Sequence, residues 1–105
     1  MEKTLHSSVE GVLKSWVNGD TPSSLVELLL QRCDTSFDHL AIIDSLTGKR
    51  LSWGQLLQQS VAVAEQIEAT GMTAGDRVLH IGPHSAAWPI VDFGCLLSGV
   101  VHVAL

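Results

Sequence analysis

The sequence predicts an α/β fold: a β-hairpin followed by a strand–helix–strand unit, with helices covering the sheet. Apolar residues recur at helical spacing in several separate segments. Two short apolar runs flank a turn at residues 45–48, which is the pattern of a hairpin. Two further apolar runs, at 78–81 and 100–105, are separated by a helical pattern, and that order predicts neighbouring parallel strands.

Composition limits the classes of function. The chain has 105 residues, which suits one small domain, and 46% of them are hydrophobic against 16% charged. This excludes a disordered chain and suits a piece whose surface is largely covered by something else. The net charge is −5 and the basic residues are scattered along the chain, so nucleic acid is not an expected partner.

Residues 1–20 are predicted to form an N-terminal helical extension of a domain that covers residues 21–105. Its apolar stripe could lie on a membrane surface, but its polar face is not basic, which favours packing on a protein body. The sequence shows no run long enough for a transmembrane segment and no leader pattern, so we expect a cytoplasmic protein. The stripe consists of Leu5, Val9, Val12, Leu13, Trp16 and Val17.

The second helix opens at residues 21–24, where Ser24 and Glu27 have the spacing of a capping box. Residues 40–44 then predict a short buried strand, and residues 49–53 predict its hairpin partner. The apolar face of this helix is expected to consist of Leu25, Leu28, Leu29 and Cys33.

The third helix is expected to end at Gly71, because glycine tolerates the left-handed conformation found after many helices. Its predicted buried stripe is Leu56, Leu57, Ser60, Val61, Ala64 and Ile67. The side chains expected to face solvent are Gln55, Gln58, Gln59, Glu65, Gln66 and Glu68.

A turn at residues 72–75 leads into the strand at 78–81, with Asp76 and Arg77 as a surface pair at its start. Gly82 and Pro83 end that strand, because proline has no N–H for a ladder.

Ser85 is expected to cap the fourth helix, in which Pro89 is tolerated within the first turn. The apolar run at 100–105 suits a parallel strand that is covered on both faces, and we therefore expect the domain to continue past Leu105. The inward side chains of the fourth helix are expected to be Ile90, Val91, Phe93, Leu96 and Leu97.

No glycine-rich phosphate loop is visible in the sequence. Thr47-Gly48-Lys49 lacks the spacing of a P-loop and predicts a turn. The corner at residues 82–86 opens a helix whose N-terminus could hold an anion, but Pro83 removes one N–H there.

His80, His84, Cys95 and His102 include zinc-ligand residue types, but they lack the tight spacing of a zinc site. The favoured interpretation is that these histidines have their hydrogen bonds satisfied or face solvent. Cys95, like Cys33, lies within an apolar pattern, and both are expected to be free buried thiols, as a reducing cytoplasm allows.

His84, Ser85 and Asp92 include the residue types of a nucleophilic triad. Adjacent side chains at a helix start do not face each other, and no nucleophile elbow is present, so a capping serine is favoured. The chain is therefore predicted to hold no catalytic, cofactor-binding or metal-binding residue. Trp16, Trp53 and Trp88 are expected to be core or interface anchors.

Three segments carry a family resemblance. Residues 51–56 read LSWGQL, residues 71–78 read GMTAGDRV and residues 97–105 read LSGVVHVAL. In sequence and order they resemble the adenylate-forming superfamily, which includes acyl-CoA synthetases, luciferases and the adenylation domains of peptide synthetases. Trp53, Gln55 and Ala104 stand where that superfamily usually has Tyr, Glu and Pro. The segments WPIVD and VHVAL are most similar to the long-chain fatty acyl-CoA synthetase branch.

The resemblance implies that the parent protein is an AMP-forming acid–CoA ligase of fatty acid metabolism. In that family a carboxylate attacks ATP, assisted by Mg²⁺, to give an acyl-adenylate and pyrophosphate, and the thiol of CoA then displaces AMP. The phosphate loop, ribose-binding Asp and C-terminal Lys of the family match no residue here. The segment is therefore expected to be a scaffold, inactive alone, that binds no ATP, Mg²⁺ or CoA itself.

The expected partners are the remainder of the parent domain and a small carboxylic acid, such as a fatty acid, which the parent would bind. The alternative is a stand-alone, non-catalytic α/β interaction module that pairs with a partner through the apolar edge at 100–105. The acid, the acceptor (CoA or a carrier protein) and the oligomeric state stay open.

Overall fold

The computed structural model describes residues 24–105, within which three helices and four strands follow one another. The predicted N-terminal helix lies outside the described residues, and the division of the chain at residue 20 stays a prediction. The elements are α1 (Leu25–Thr35), β1 (Leu40–Ile43), β2 (Arg50–Ser52), α2 (Trp53–Ala69), β3 (Arg77–His80), α3 (Ala87–Ser98) and β4 (Val101–Ala104).

The strands pair as the sequence predicts. β1 and β2 form an antiparallel hairpin, and β3 and β4 form a parallel pair whose register runs from Arg77 opposite Val101 to His80 opposite Ala104. The hairpin and the parallel pair are separate two-stranded sheets. The predicted α/β class, with a hairpin and a strand–helix–strand unit, is therefore confirmed.

The core of the described residues lies around α2, which packs against α1, the hairpin and α3. All six residues of the predicted α2 stripe are buried, from Leu56 to Ile67. Gly71 follows the helix with a φ of 85°, as the sequence predicts for a helix-ending glycine. The largest fully buried side chains include Leu30, Leu56 and Leu57.

The predicted apolar face of α1 is partly wrong. Leu25 is 58% exposed and Leu28 is also exposed, whereas Leu30, which the prediction left out, is fully buried. The segment LVELLL offers apolar side chains on more than one side, and contact with α2 selects the stripe with spacing i, i+3, i+4, i+7. That inward stripe consists of Val26, Leu29, Leu30 and Cys33.

The hairpin also departs from prediction. β1 is not buried, since Ile43 is 55% exposed and Leu40 is exposed as well. β2 ends at Ser52 because that residue caps α2: its side chain accepts from the Gln55 N–H at 3.1 Å. The Gln55 side chain in turn accepts from the Ser52 N–H at 2.8 Å, which completes a capping box. Trp53 is therefore the first residue of a helix and not the end of a strand.

The start of α3 differs by one residue from its prediction. Ser85 accepts a hydrogen bond from the Ala87 N–H at 3.2 Å, but Ala86 occupies the N-cap position. In the turn before β3, the Asp76 carboxylate accepts a hydrogen bond from the Thr73 N–H at 2.8 Å. Among residues 24–105, no helix combines the length and apolar character needed to cross a membrane.

Candidate functional site

Three polar side chains join α3 to both parallel strands, and we call them the Asp–His–His network (Asp92, His102 and His80). Asp92 Oδ1 lies 2.9 Å from His102 Nδ1, and His102 Nε2 lies 3.1 Å from His80 Nδ1. The His102 side chain is only 5% exposed. The two imidazole rings stack with centroids 5.2 Å apart, and the Trp88 ring lies 5.3 Å from His102.

Local structure explains why these residues meet. Side chains alternate between the two faces of a strand, so His80 and His102 share the face of the parallel pair that α3 covers, with Val78. Asp92 lies in the middle of α3, the helix that connects β3 to β4. The sequence prediction favoured satisfied or solvent-facing histidines over zinc ligands, but it did not pair His80 with His102 and considered Asp92 only beside Ser85.

The candidate zinc residues are not brought together as a set. The two network histidines bond to each other, His84 is exposed on the loop after β3, and Cys95 is buried with Ile67 and Val100. Within residues 24–105 no group of three or more potential metal ligands converges.

The residue types of the nucleophilic triad are also separated by their contacts. Asp92 contacts His102 and not His84, and the Ser85 hydroxyl accepts from the Ala87 N–H just before α3, where Ala86 is the N-cap residue. The Ser85 hydroxyl therefore bonds to backbone beside the start of α3, one residue away from the capping position that the sequence predicted.

The N-terminus of α3, which was the candidate anion site at residues 82–86, already holds a carboxylate from the hairpin. Asp44 Oδ2 accepts from the Ala86 N–H at 3.2 Å, and Asp44 Oδ1 accepts from the N–H groups of Leu46 at 3.0 Å and Thr47 at 3.3 Å. These bonds, that from Ala86 foremost, lower the pKa of Asp44. A phosphate group at this corner would meet a negative charge, so these residues do not fit the phosphates of ATP.

An apolar groove of about 180 Å³ lies between α1 and α3. The exposed Leu25 and Leu28 form one wall, Phe93 forms part of the other, and Arg32 supplies a positive charge at its edge. Trp53 also lines this groove, which agrees with its predicted role as a core or interface anchor.

The face of the parallel pair that points away from α3 is apolar and exposed, and we call it the outer face. Alternate residues of β3 and β4, with the residue after each strand, bring large side chains to it. The outer face consists of Leu79, Ile81, Val101, Val103 and Leu105.

Both cysteines are free and buried, as the sequence predicts. Burial raises the pKa of Cys33 to about 12, and its thiol donates to the Trp53 carbonyl oxygen at 3.5 Å. The pKa of Cys95 is raised by burial and, secondarily, by the negative charge of Asp92. Since the thiolate is the reactive form, neither side chain is placed as a nucleophile.

Comparison with known proteins identifies a family and several relatives. Residues 29–105 match the family model described as AMP-binding enzyme. The chain is 38% identical over 56 residues to the fatty acid–[acyl-carrier-protein] ligase ScoC of Streptomyces coeruleorubidus, covering 53% of this chain and 11% of that protein. It is 26% identical over 99 residues to the human mitochondrial medium-chain acyl-CoA ligase ACSF2, covering 94% of this chain and 16% of that protein.

The fold has matching solved structures. The fatty acid AMP ligase from Legionella pneumophila superposes with a TM-score of 0.74 at 25% identity, over 81% of this chain and 15% of that chain. The chain thus spans 11% to 16% of the length of these relatives. Because the family model covers most of the sequence, the resemblance carried by the three motifs is confirmed. The chain belongs to the family of AMP-binding enzymes, whose relatives here are acyl-CoA and fatty acid ligases.

Proposed function

We propose that this chain is the N-terminal scaffold of an AMP-forming acid–CoA ligase, in which it builds part of the sheet and of the helical wall. The observation that carries this proposal is the outer face, where five large apolar side chains are exposed on one parallel pair. Fully burying a side chain of this size contributes about 1.5–3 kcal/mol, and these five are only partly exposed, so leaving the outer face in water forfeits on the order of 5 kcal/mol. A longer polypeptide that packs on this face would recover that stabilisation.

The length of the relatives supports the same proposal. They are more than six times as long as the segment that matches this chain, so they contain ample polypeptide to cover the outer face. In such a parent enzyme, ATP, Mg²⁺ and CoA would be bound by residues outside this chain. The Asp44 carboxylate at the N-terminus of α3 agrees with that division, because it occupies the place where a phosphate would bind.

The substrate of the parent enzyme is proposed to be a carboxylic acid, with a fatty acid favoured. The two curated relatives described above carry an acyl chain in their names, one as a fatty acid ligase and one as a medium-chain acyl-CoA ligase. The first transfers to a carrier protein and the second to CoA by name, so the acceptor is assigned only as a thiol. Free buried thiols suit a reducing compartment, for which we propose the cytoplasm.

Substrate-dependent exchange of pyrophosphate into ATP tests the division between scaffold and reaction centre. We expect the purified 105-residue chain to give no exchange with fatty acids of any length. A longer protein read from the same gene past Leu105 is expected to show exchange. Exchange by the 105-residue chain alone would overturn the scaffold role.

The second candidate function is a stand-alone interaction module, and the same outer face supports it. A partner protein could cover the apolar side chains in place of a longer parent. The coding sequence after Leu105 distinguishes the two: a Ser/Thr/Gly-rich segment ending in Lys-Gly supports the ligase, and a stop codon supports the module.

A further inference from the structure

We propose that the Asp–His–His network is an acid-sensitive clasp on the β3–β4 pair: it accommodates one added proton and releases the strands when it takes a second. The inference rests on the order of the three side chains and on the nitrogen atoms through which they meet. It does not depend on the proposed function.

The order of the network fixes both tautomers when the two histidines are neutral. An ionised carboxylate only accepts hydrogen bonds, so His102 Nδ1, at 2.9 Å, must donate to Asp92. A neutral His102 then has a bare Nε2, which accepts from His80 Nδ1 at 3.1 Å. His80 is left with its Nε2 unprotonated.

A first added proton fits this arrangement without a change of geometry. It binds to Nε2 of His80, whose ring is only half-buried, and every hydrogen bond of the network is kept. The Asp92 carboxylate supplies a compensating negative charge at the other end of the network.

A second proton does not fit. It would bind to His102 Nε2, where the N–H would point at the N–H of His80 Nδ1, and the bond between the strands would be lost. It would also place two positive rings 5.2 Å apart, one of them with a side chain that is 5% exposed. Since His80 belongs to β3 and His102 to β4, the repulsion acts on the pairing of the two strands.

The surroundings offer no second charge to relieve this repulsion. Among residues 24–105 the other ionisable groups on the elements around the network are exposed, except for Cys95, whose raised pKa keeps its thiol neutral. These groups are Cys95 on α3, Arg77 on β3, Glu65 and Glu68 on α2, and Asp76 and His84 in the loops that flank β3.

Nuclear magnetic resonance of imidazole nitrogens in the full chain tests the tautomers directly. We expect His80 and His102 both to carry their proton on Nδ1 at about pH 7.5, against the Nε2 form that is usual for a free histidine side chain. A His102 protonated on Nε2 at neutral pH, or both rings charged with the strands still paired, would refute the clasp.

Hydrogen exchange of the same chain tests the release of the strands. Between about pH 7.5 and pH 5, where imidazole titrates, the protection factor of the Leu105 N–H, which donates to the His80 carbonyl at 3.0 Å, should fall at least about tenfold. The Gly54 N–H, which donates to the Phe37 carbonyl at 2.8 Å in the hairpin region, should keep its protection. An equal fall at both amides would indicate general acid unfolding and would count against the clasp.

Matched variants separate the network from other histidines. His80→Gln keeps an amide donor towards His102 but cannot take up a proton. The acid-induced fall in the protection factor of the Leu105 N–H should therefore disappear. His84→Gln removes an exposed histidine on the neighbouring loop and should leave the fall unchanged. If His80→Gln retains the fall, the clasp is excluded. If that variant fails to fold, the histidine tautomers measured in the unchanged chain still decide whether the clasp exists.

Discussion

Gly94 and Val63 hold α3 against α2 at a distance that leaves no room for a methyl group. A Cβ atom on Gly94 would lie 2.7 Å from Val63 Cγ1 and 3.0 Å from the Ser60 carbonyl oxygen. The Ser98 hydroxyl, one turn later on α3, donates to the Gly94 carbonyl at 3.0 Å. Small side chains therefore set the spacing of the two helices that carry most of the core and that position the parallel strands.

Gly94→Ala is expected to destabilise the chain by about 1–3 kcal/mol, the usual range for overpacking a core. The backbone oxygen of Ser60 cannot move away as a flexible side chain could, so α3 must shift. Urea denaturation measures the loss. Gly82→Ala is the matched control, since its Cβ would have only one neighbour within 4.0 Å, at the tip of His80. Equal stabilities for the two variants would show that the close approach of the helices is not tight.

Alanine substitutions at two serines, Ser60 within α2 and Ser52 at its N-cap, should affect stability differently. Within residues 24–105, Ser60 Oγ is fully buried and has no hydrogen-bond partner, so Ser60→Ala removes a desolvated polar group and should leave stability unchanged or raise it by up to about 1 kcal/mol. Ser52→Ala removes half of a capping box and should cost about 1 kcal/mol. Thermal unfolding of both variants is the measurement. A loss at residue 60 as large as that at residue 52 would show that the Ser60 hydroxyl is satisfied.

Much of this fold follows from local sequence, and the exceptions have physical reasons. The α2 stripe was predictable because its polar positions leave a single apolar face, whereas the LVELLL segment of α1 leaves several, and only contact with α2 chooses among them. The exposure of Leu40 and Ile43 could not be predicted, because a strand pattern does not say what covers it.

The candidate site was the least predictable part. The hydrogen bond between Asp92 and His102 depends on the register of β3 with β4 and on the direction of α3, and neither can be predicted from residue spacing. The capping box of Ser52 and Gln55, by contrast, has the sequence signature of serine followed three residues later by glutamine and could have been recognised. It also gives a structural reason for the LSWGQL segment, since its serine and its glutamine begin α2.

The carboxylate of Asp44 should make stability depend on pH in acid. Its pKa is lowered in the folded chain, so its contribution is complete above the unfolded value of 3.8 and is lost as the pH falls through the folded pKa. Asp44→Asn should therefore lower stability at neutral pH and reduce the further loss below about pH 4. Urea denaturation midpoints, measured from neutral pH to below about pH 4, test the direction of this pH dependence. Asp38→Asn, at an exposed carboxylate, should leave the profile unchanged.

A charge on the outer face should have opposite effects in the 105-residue chain and in a longer parent. In the short chain, Val103→Lys places a cation where water already reaches, so it should increase the monomer fraction in size-exclusion chromatography and leave the melting temperature nearly unchanged. In a longer protein that covers the face, the same lysine would be buried without a counter-charge and should destabilise by about 3 kcal/mol or more. Leu46→Lys, at a turn residue that is 83% exposed, is the control and should be neutral in both. If Val103→Lys is equally harmless in the longer protein, the outer face is not covered by the remainder of the enzyme, and the scaffold proposal loses its main support.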